Sequence, residues 1–64
     1  MMVQHDWIVA RVWCGQWEYF TGLAYGVPQW SAREACARPL ARRRAEYLAD
    51  AVDGFVRRWR GGSR

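Results

Sequence analysis

Five tryptophans in a chain of 64 residues set the problem that any fold of this sequence must solve. A domain of about 60 residues buries roughly 60% of the surface its unfolded chain exposes. Each large aromatic side chain brings about 150–250 Å² that prefers to leave water. Trp7, Trp13, Trp17, Trp30 and Trp59 cannot all be core residues of one small layer. Some of their surface must be shared with charged side chains, with a partner, or with solvent. One domain, spanning about residues 1–60, is the expected organisation at this length.

Charge is divided along the chain. Residues 1–37 carry two arginines against three carboxylates, and residues 38–64 carry eight arginines against three. All ten cations are arginine. The balance of the second part suits an anionic partner, either nucleic acid or an acidic protein surface. An arginine-rich composition also follows from a GC-rich genome. The two cysteines, Cys14 and Cys36, and the one histidine, His5, have no metal-ligand spacing, so neither a metal nor a cofactor is expected. No stretch approaches the roughly 20 apolar residues of a membrane span. The Met1–Asp6 start lacks a basic, then apolar, leader pattern. These features lead us to expect a soluble cytoplasmic protein with reduced thiols and no membrane partner.

Local patterns predict an α+β fold. Residues 6–14 read as a strand, rich in β-branched and aromatic residues, and residues 17–24 as its return strand. Gly15-Gln16 suits a two-residue type II′ turn. That register sets Cys14 opposite Trp17, Val12 opposite Tyr19, Ala10 opposite Thr21 and Ile8 opposite Leu23. This face carries no charge and is the expected core face. Trp7, Val9, Arg11 and Trp13 lie on the other, with Glu18, Phe20 and Gly22.

Tyr25 to Pro28 reads as a turn. Ser31 and Glu34 form a candidate capping box for a short helical turn. Pro39 disfavours helical geometry at Arg38. Residues 35–40 then fit either a second short helix or a strand over 36–40. From about 41 to 59, Ala41, Ala45, Leu48, Ala49, Val52, Phe55, Val56 and Trp59 make one helical stripe, with Asp53 and Arg57 placed to pair. Gly54 weakens such a helix and points to a bend or close packing. Residues 61–64 read as a disordered tail.

The succession Trp7-Ile8-Val9, Tyr19-Phe20-Thr21-Gly22, Trp30-Ser31, Ala37-Arg38-Pro39-Leu40 and Ala45-Glu46-Tyr47-Leu48-Ala49 resembles small phage- and prophage-type accessory proteins. Those chains run β-β-β-α. The resemblance therefore implies a strand at 36–40 and a three-stranded antiparallel sheet packed by one C-terminal amphipathic helix. The helix start departs from the pattern, since Ala41 and Arg42 stand where such proteins often carry a Ser or Thr cap. Some members of that group bind and block host enzymes or defence complexes. The resemblance thus implies a non-enzymatic inhibitor or modulator of a host protein or nucleoprotein complex, a CRISPR effector being one candidate.

Two sets of residues are candidates for such work. Trp7, Arg11, Trp13 and Phe20 would present aromatic anchors beside an arginine on a flat sheet face, the composition of binding hot spots. They are core instead if the helix packs on that face. Arg42, Arg43 and Arg44 stand at a helix N-terminus, where the macrodipole disfavours cations, and with Arg38 they are candidates for holding an anion or nucleic acid.

A sheet-borne DNA-binding module is the alternative, resembling domains of some integrases and plant transcription factors. There Arg11, Arg33 and Arg38 would contact phosphates or guanines. A homodimer closing on its own tryptophans is a third reading. Catalysis is not expected. Cys14 has no basic neighbour in sequence to activate it, and Glu18, Glu34, Glu46, Asp50 and Asp53 show no acid–base pairing.

Overall fold

The computed structural model describes residues 5–59. The expected tail at 61–64 lies outside them. Four strands form one antiparallel sheet: β1 (Trp7–Trp13), β2 (Gln16–Ala24), β3 (Val27–Ser31) and β4 (Phe55–Arg58), in the order β3-β2-β1-β4. A single α-helix, α1 (Arg42–Val52), packs across one face. The α+β class stands, with four strands rather than three.

Both hairpins close through two-residue turns whose residues have positive φ: Cys14 and Gly15 at 53° and 78°, Tyr25 and Gly26 at 52° and 78°. This is the type I′ pattern, whose twist matches that of the flanking strands. The first turn therefore sits one residue earlier than the Gly15-Gln16 expectation. Trp13 pairs with Gln16, Val12 with Trp17, Arg11 with Glu18 and Ala10 with Tyr19. The register moves by two residues, so up to Phe20 each side chain of the hairpin keeps its face, because alternation has a period of two.

Three element assignments are corrected. The third strand is Val27–Ser31, not 36–40. Pro28 is accommodated because β3 is an edge strand, where a missing ladder donor does no harm. Ser31 ends that strand rather than capping a helix. Its Oγ accepts the Arg33 N–H at 3.1 Å, and a single 3₁₀ turn, Glu34–Cys36, follows.

Within the expected 36–40 strand, Cys36 ends the 3₁₀ turn, Ala37 is extended, and the one bridge is between Leu40 and Trp7. The segment also donates the Arg38 N–H to the Phe20 carbonyl at 2.9 Å. It thereby lies between β1 and β2 where they diverge. The β1–β2 ladder ends at Ala10 and Tyr19, and just beyond it β2 bulges against β3, since Phe20 pairs with Trp30 and Gly22 with Gln29, leaving Thr21 extra.

The helix stops at Val52, well short of 59. Asp53 turns left-handed at φ 59°. The Gly54 N–H then reaches the Ala49 carbonyl at 2.7 Å, and the Asp53 N–H reaches that of Asp50 at 3.4 Å. This is the Schellman arrangement. The chain then reverses, and β4 covers the outer edge of β1, pairing Trp7 with Arg58 and Ala10 with Phe55. An edge left bare along β1 would have exposed unpaired backbone groups. Asp53 and Arg57 do not pair; Arg57 lies 3.8 Å from Glu34 instead.

The core has two parts. On the helix face, Val9, Phe20, Leu40, Ala45 and Ala49 form the buried cluster, with Trp7, Trp30, Leu48, Val52 and Val56 packed around it. On the opposite face, Ile8, Ala10, Tyr19 and Ala37 are buried, with Trp59 against them. The expected core face is thus covered only at the end where the 3₁₀ segment and Trp59 lie. The helix occupies the other face. No helix among the described residues is long and apolar enough to cross a membrane.

Candidate interaction surfaces

All four residues of the sheet-face candidate set lie on the helix face, and three of them are engaged within the fold. Phe20 is 5% exposed and meets Trp30 edge-on at 5.9 Å, so it is a core residue and not a docking anchor. Trp7 lies between two guanidinium groups, Arg42 at 5.1 Å and Arg58 at 5.3 Å from its ring. Arg11 lies between Trp30 and Trp13, at 4.1 and 4.8 Å. The same guanidinium donates from Nε and Nη2 to one Glu18 oxygen at 3.0 and 2.9 Å. Arg11 is therefore neutralised and stacked, while Trp13 keeps 57% of its surface in solvent at the hairpin tip.

The Arg11–Glu18 pair is only 22% and 25% exposed. A double-mutant cycle with Arg11→Ala and Glu18→Ala should return a coupling of about 0.5–1 kcal/mol in urea unfolding, the upper part of the range for accessible pairs. A coupling of zero would mean that the stacking on the two indoles alone holds Arg11.

The opposite face carries what the sequence reading missed. Val12 and Trp17 face each other across the hairpin, and Phe55 stands beside Ala10 on β4. The Ala10 side chain is a single methyl group, too small to keep the rings on either side of β1 apart, and Trp17 reaches Phe55 at a centroid distance of 5.6 Å. The three residues are 51%, 47% and 53% exposed. Together with Trp13 on the other face, they set aromatic surface on both sides of the Cys14-Gly15 turn. The expected core face includes Val12 and Trp17, and the expected helix includes Phe55; in the structure all three are half exposed on the sheet. The sign that could have revealed them was the second break at Asp53-Gly54, which ends the helix and returns Phe55 to the sheet.

The arginine cluster divides as well. Arg42 is tied to Glu46 at 3.0 Å and to Trp7. Arg38, Arg43 and Arg44 are exposed, and among the described residues none of them makes an ion pair. The helix begins without a side-chain cap, at Ala41, as its sequence implied. Arg38 and Arg44 line one groove, between α1 and β2, together with Tyr47 and Leu23. Both cysteines are free and exposed. No protein-family model, no curated protein and no solved structure matches this chain.

Proposed function

We propose that this chain is a non-enzymatic protein-binding module that inhibits or modulates a macromolecular complex by covering one of its surfaces. The observation that carries this reading is the exposed Val12, Trp17 and Phe55 cluster on the face opposite the helix. Tryptophan is among the residues that dominate interface energetics. Here it sits on paired strands, which hold an anchor more firmly than a loop does. The resemblance to phage-type accessory proteins supplies the class of target, a bacterial host complex. The strand-borne DNA reading is less well served, because Arg11, the one arginine on the first hairpin, is occupied by Glu18 and two indoles.

The test is a pull-down from bacterial lysate, with and without nuclease, using the native chain and a Trp17→Ala/Phe55→Ala variant. Both side chains are half exposed, so the variant should keep its fold, checked by circular dichroism. A discrete complex is expected to survive nuclease and to weaken at least about tenfold in the variant, as loss of two aromatic anchors implies. A signal that vanishes with nuclease would transfer the function to nucleic-acid binding. Sedimentation of the isolated protein tests self-association: a dimer dissolved by the same variant would show that the cluster closes on a second copy.

A further inference from the structure

The groove between α1 and the second half of β2 has a volume of about 380 Å³. Phe20, Leu40 and Leu48 line it with apolar surface. Leu23 joins them because the bulge at Thr21 offsets the strand. In strict alternation, Phe20 and Leu23 would point to opposite faces. Arg38, Arg44 and Tyr47 complete the lining, and a shallower recess shared by Arg43, Arg44 and Tyr47 adjoins it.

Arg38 is held in place by the fold. Its backbone N–H is bonded to Phe20, and its side chain lies over Gly22, where a Cβ would come within 3.6 Å of Nη1. Gly22 itself has φ 141°, a conformation that side chains rarely adopt. No carboxylate lines the groove, and among the described residues none pairs with Arg38, Arg43 or Arg44.

An apolar slot with an unneutralised cationic rim calls for an anionic partner that also brings apolar bulk. A nucleic-acid backbone would set sugar and phosphate against Phe20, Leu40 and Leu48, and only Tyr47 offers a stacking surface. A polypeptide supplies both elements at once. We propose that this groove docks an acidic segment of a partner protein, which seats one or two large apolar side chains in the slot and pairs its carboxylates with Arg38 and Arg44. Planar guanidinium groups suit such pairing. The groove lies on the other face of the sheet from the Trp17 and Phe55 cluster, so its occupancy stands or falls separately from that of the cluster.

The experiment is selection of a displayed random peptide library on the immobilised chain, followed by fluorescence polarisation with a synthetic peptide of the recovered sequence. The expected peptides combine Asp or Glu with Leu, Phe or Trp. Their affinity should fall about tenfold or more in Arg38→Ala and in Arg44→Ala, since each removes a charge-assisted hydrogen bond. Trp17→Ala should leave it unchanged. Recovery of no binder, of peptides without acidic enrichment, or of peptides indifferent to both arginines would overturn the proposal. So would a single-stranded oligodeoxynucleotide that displaces the peptide and binds more tightly through the same arginines, which would make the groove a nucleic-acid site.

Discussion

Gly54→Ala is expected to destabilise the protein by about 2–3 kcal/mol, the upper part of the range for overpacking a well-packed site. A Cβ at this position would lie 2.6 Å from the Ala10 carbonyl oxygen and 3.3 Å from Val52 Cγ2. Neither neighbour can yield easily. Ala10 is fully buried and is paired on both sides, with Tyr19 and with Phe55. Backing Gly54 away would break its hydrogen bond to Ala49, which ends the helix. For a domain of this size each kcal/mol moves the melting temperature by about 4–8 °C, so a fall on the order of 10–20 °C is expected. The sign is what makes the substitution informative. Were residues 41–59 one helix, Gly54→Ala would stabilise it by about 1 kcal/mol. Thermal unfolding followed by far-ultraviolet circular dichroism separates the two. An unchanged or raised melting temperature would show that the chain does not reverse at Asp53 into a fourth strand.

The same reversal marks where the sequence ceased to be legible. Phe55, Val56 and Trp59 continue the three-and-four spacing of α1, and four residues of strand are too few to show a competing period. What decides between them is the free edge of β1, a tertiary demand invisible in residues 53–59 alone. The first hairpin was easier to read, because its aromatic and β-branched runs have no helical period. Its turn was misplaced by one residue, but faces survive a two-residue change of register. The covered face was misjudged for a different reason. Arg11 and Glu18 were read as charges that belong in water. With the turn at Cys14-Gly15 they stand opposite each other and neutralise one another, and Arg11 lies between two indoles.

The arginines thus answer part of the opening problem. Arg11, Arg42 and Arg58 stack on Trp7, Trp13 and Trp30, and cover indole surface that a sheet and one helix cannot bury. Trp59 packs on the buried cluster around Ile8, and Trp17 is left with Phe55 in the open. Arg38, Arg43 and Arg44, which make no ion pair among the described residues, were legible from charge alone. The groove that gathers two of them was not, because it depends on the bulge at Thr21.

Phe20→Ala should cost about 3–5 kcal/mol, the usual range for removing a buried aromatic ring. That would be a large part of the total stability of such a chain, at about 0.05–0.15 kcal/mol per residue. Phe20 joins β2 to Leu40, Ala45 and Ala49, and its contact with Trp30 supports one side of the Arg11 stack. Its loss should therefore shift the urea midpoint sharply and also loosen the indole surroundings seen in near-ultraviolet circular dichroism. Trp13→Ala is the control. It removes an exposed ring and one cation–π contact, worth about 0.5–1 kcal/mol at such a site. If Phe20 instead served as an exposed docking anchor, Phe20→Ala would keep its midpoint and lose only a partner. That outcome would place the helix on the wrong face of the sheet. Phe20→Leu distinguishes loss of bulk from loss of the fold: an apolar side chain is kept, so the protein should fold with a smaller penalty. It also trims the lining of the groove beside Leu40 and Leu48, so any change in peptide affinity can be measured on a folded protein.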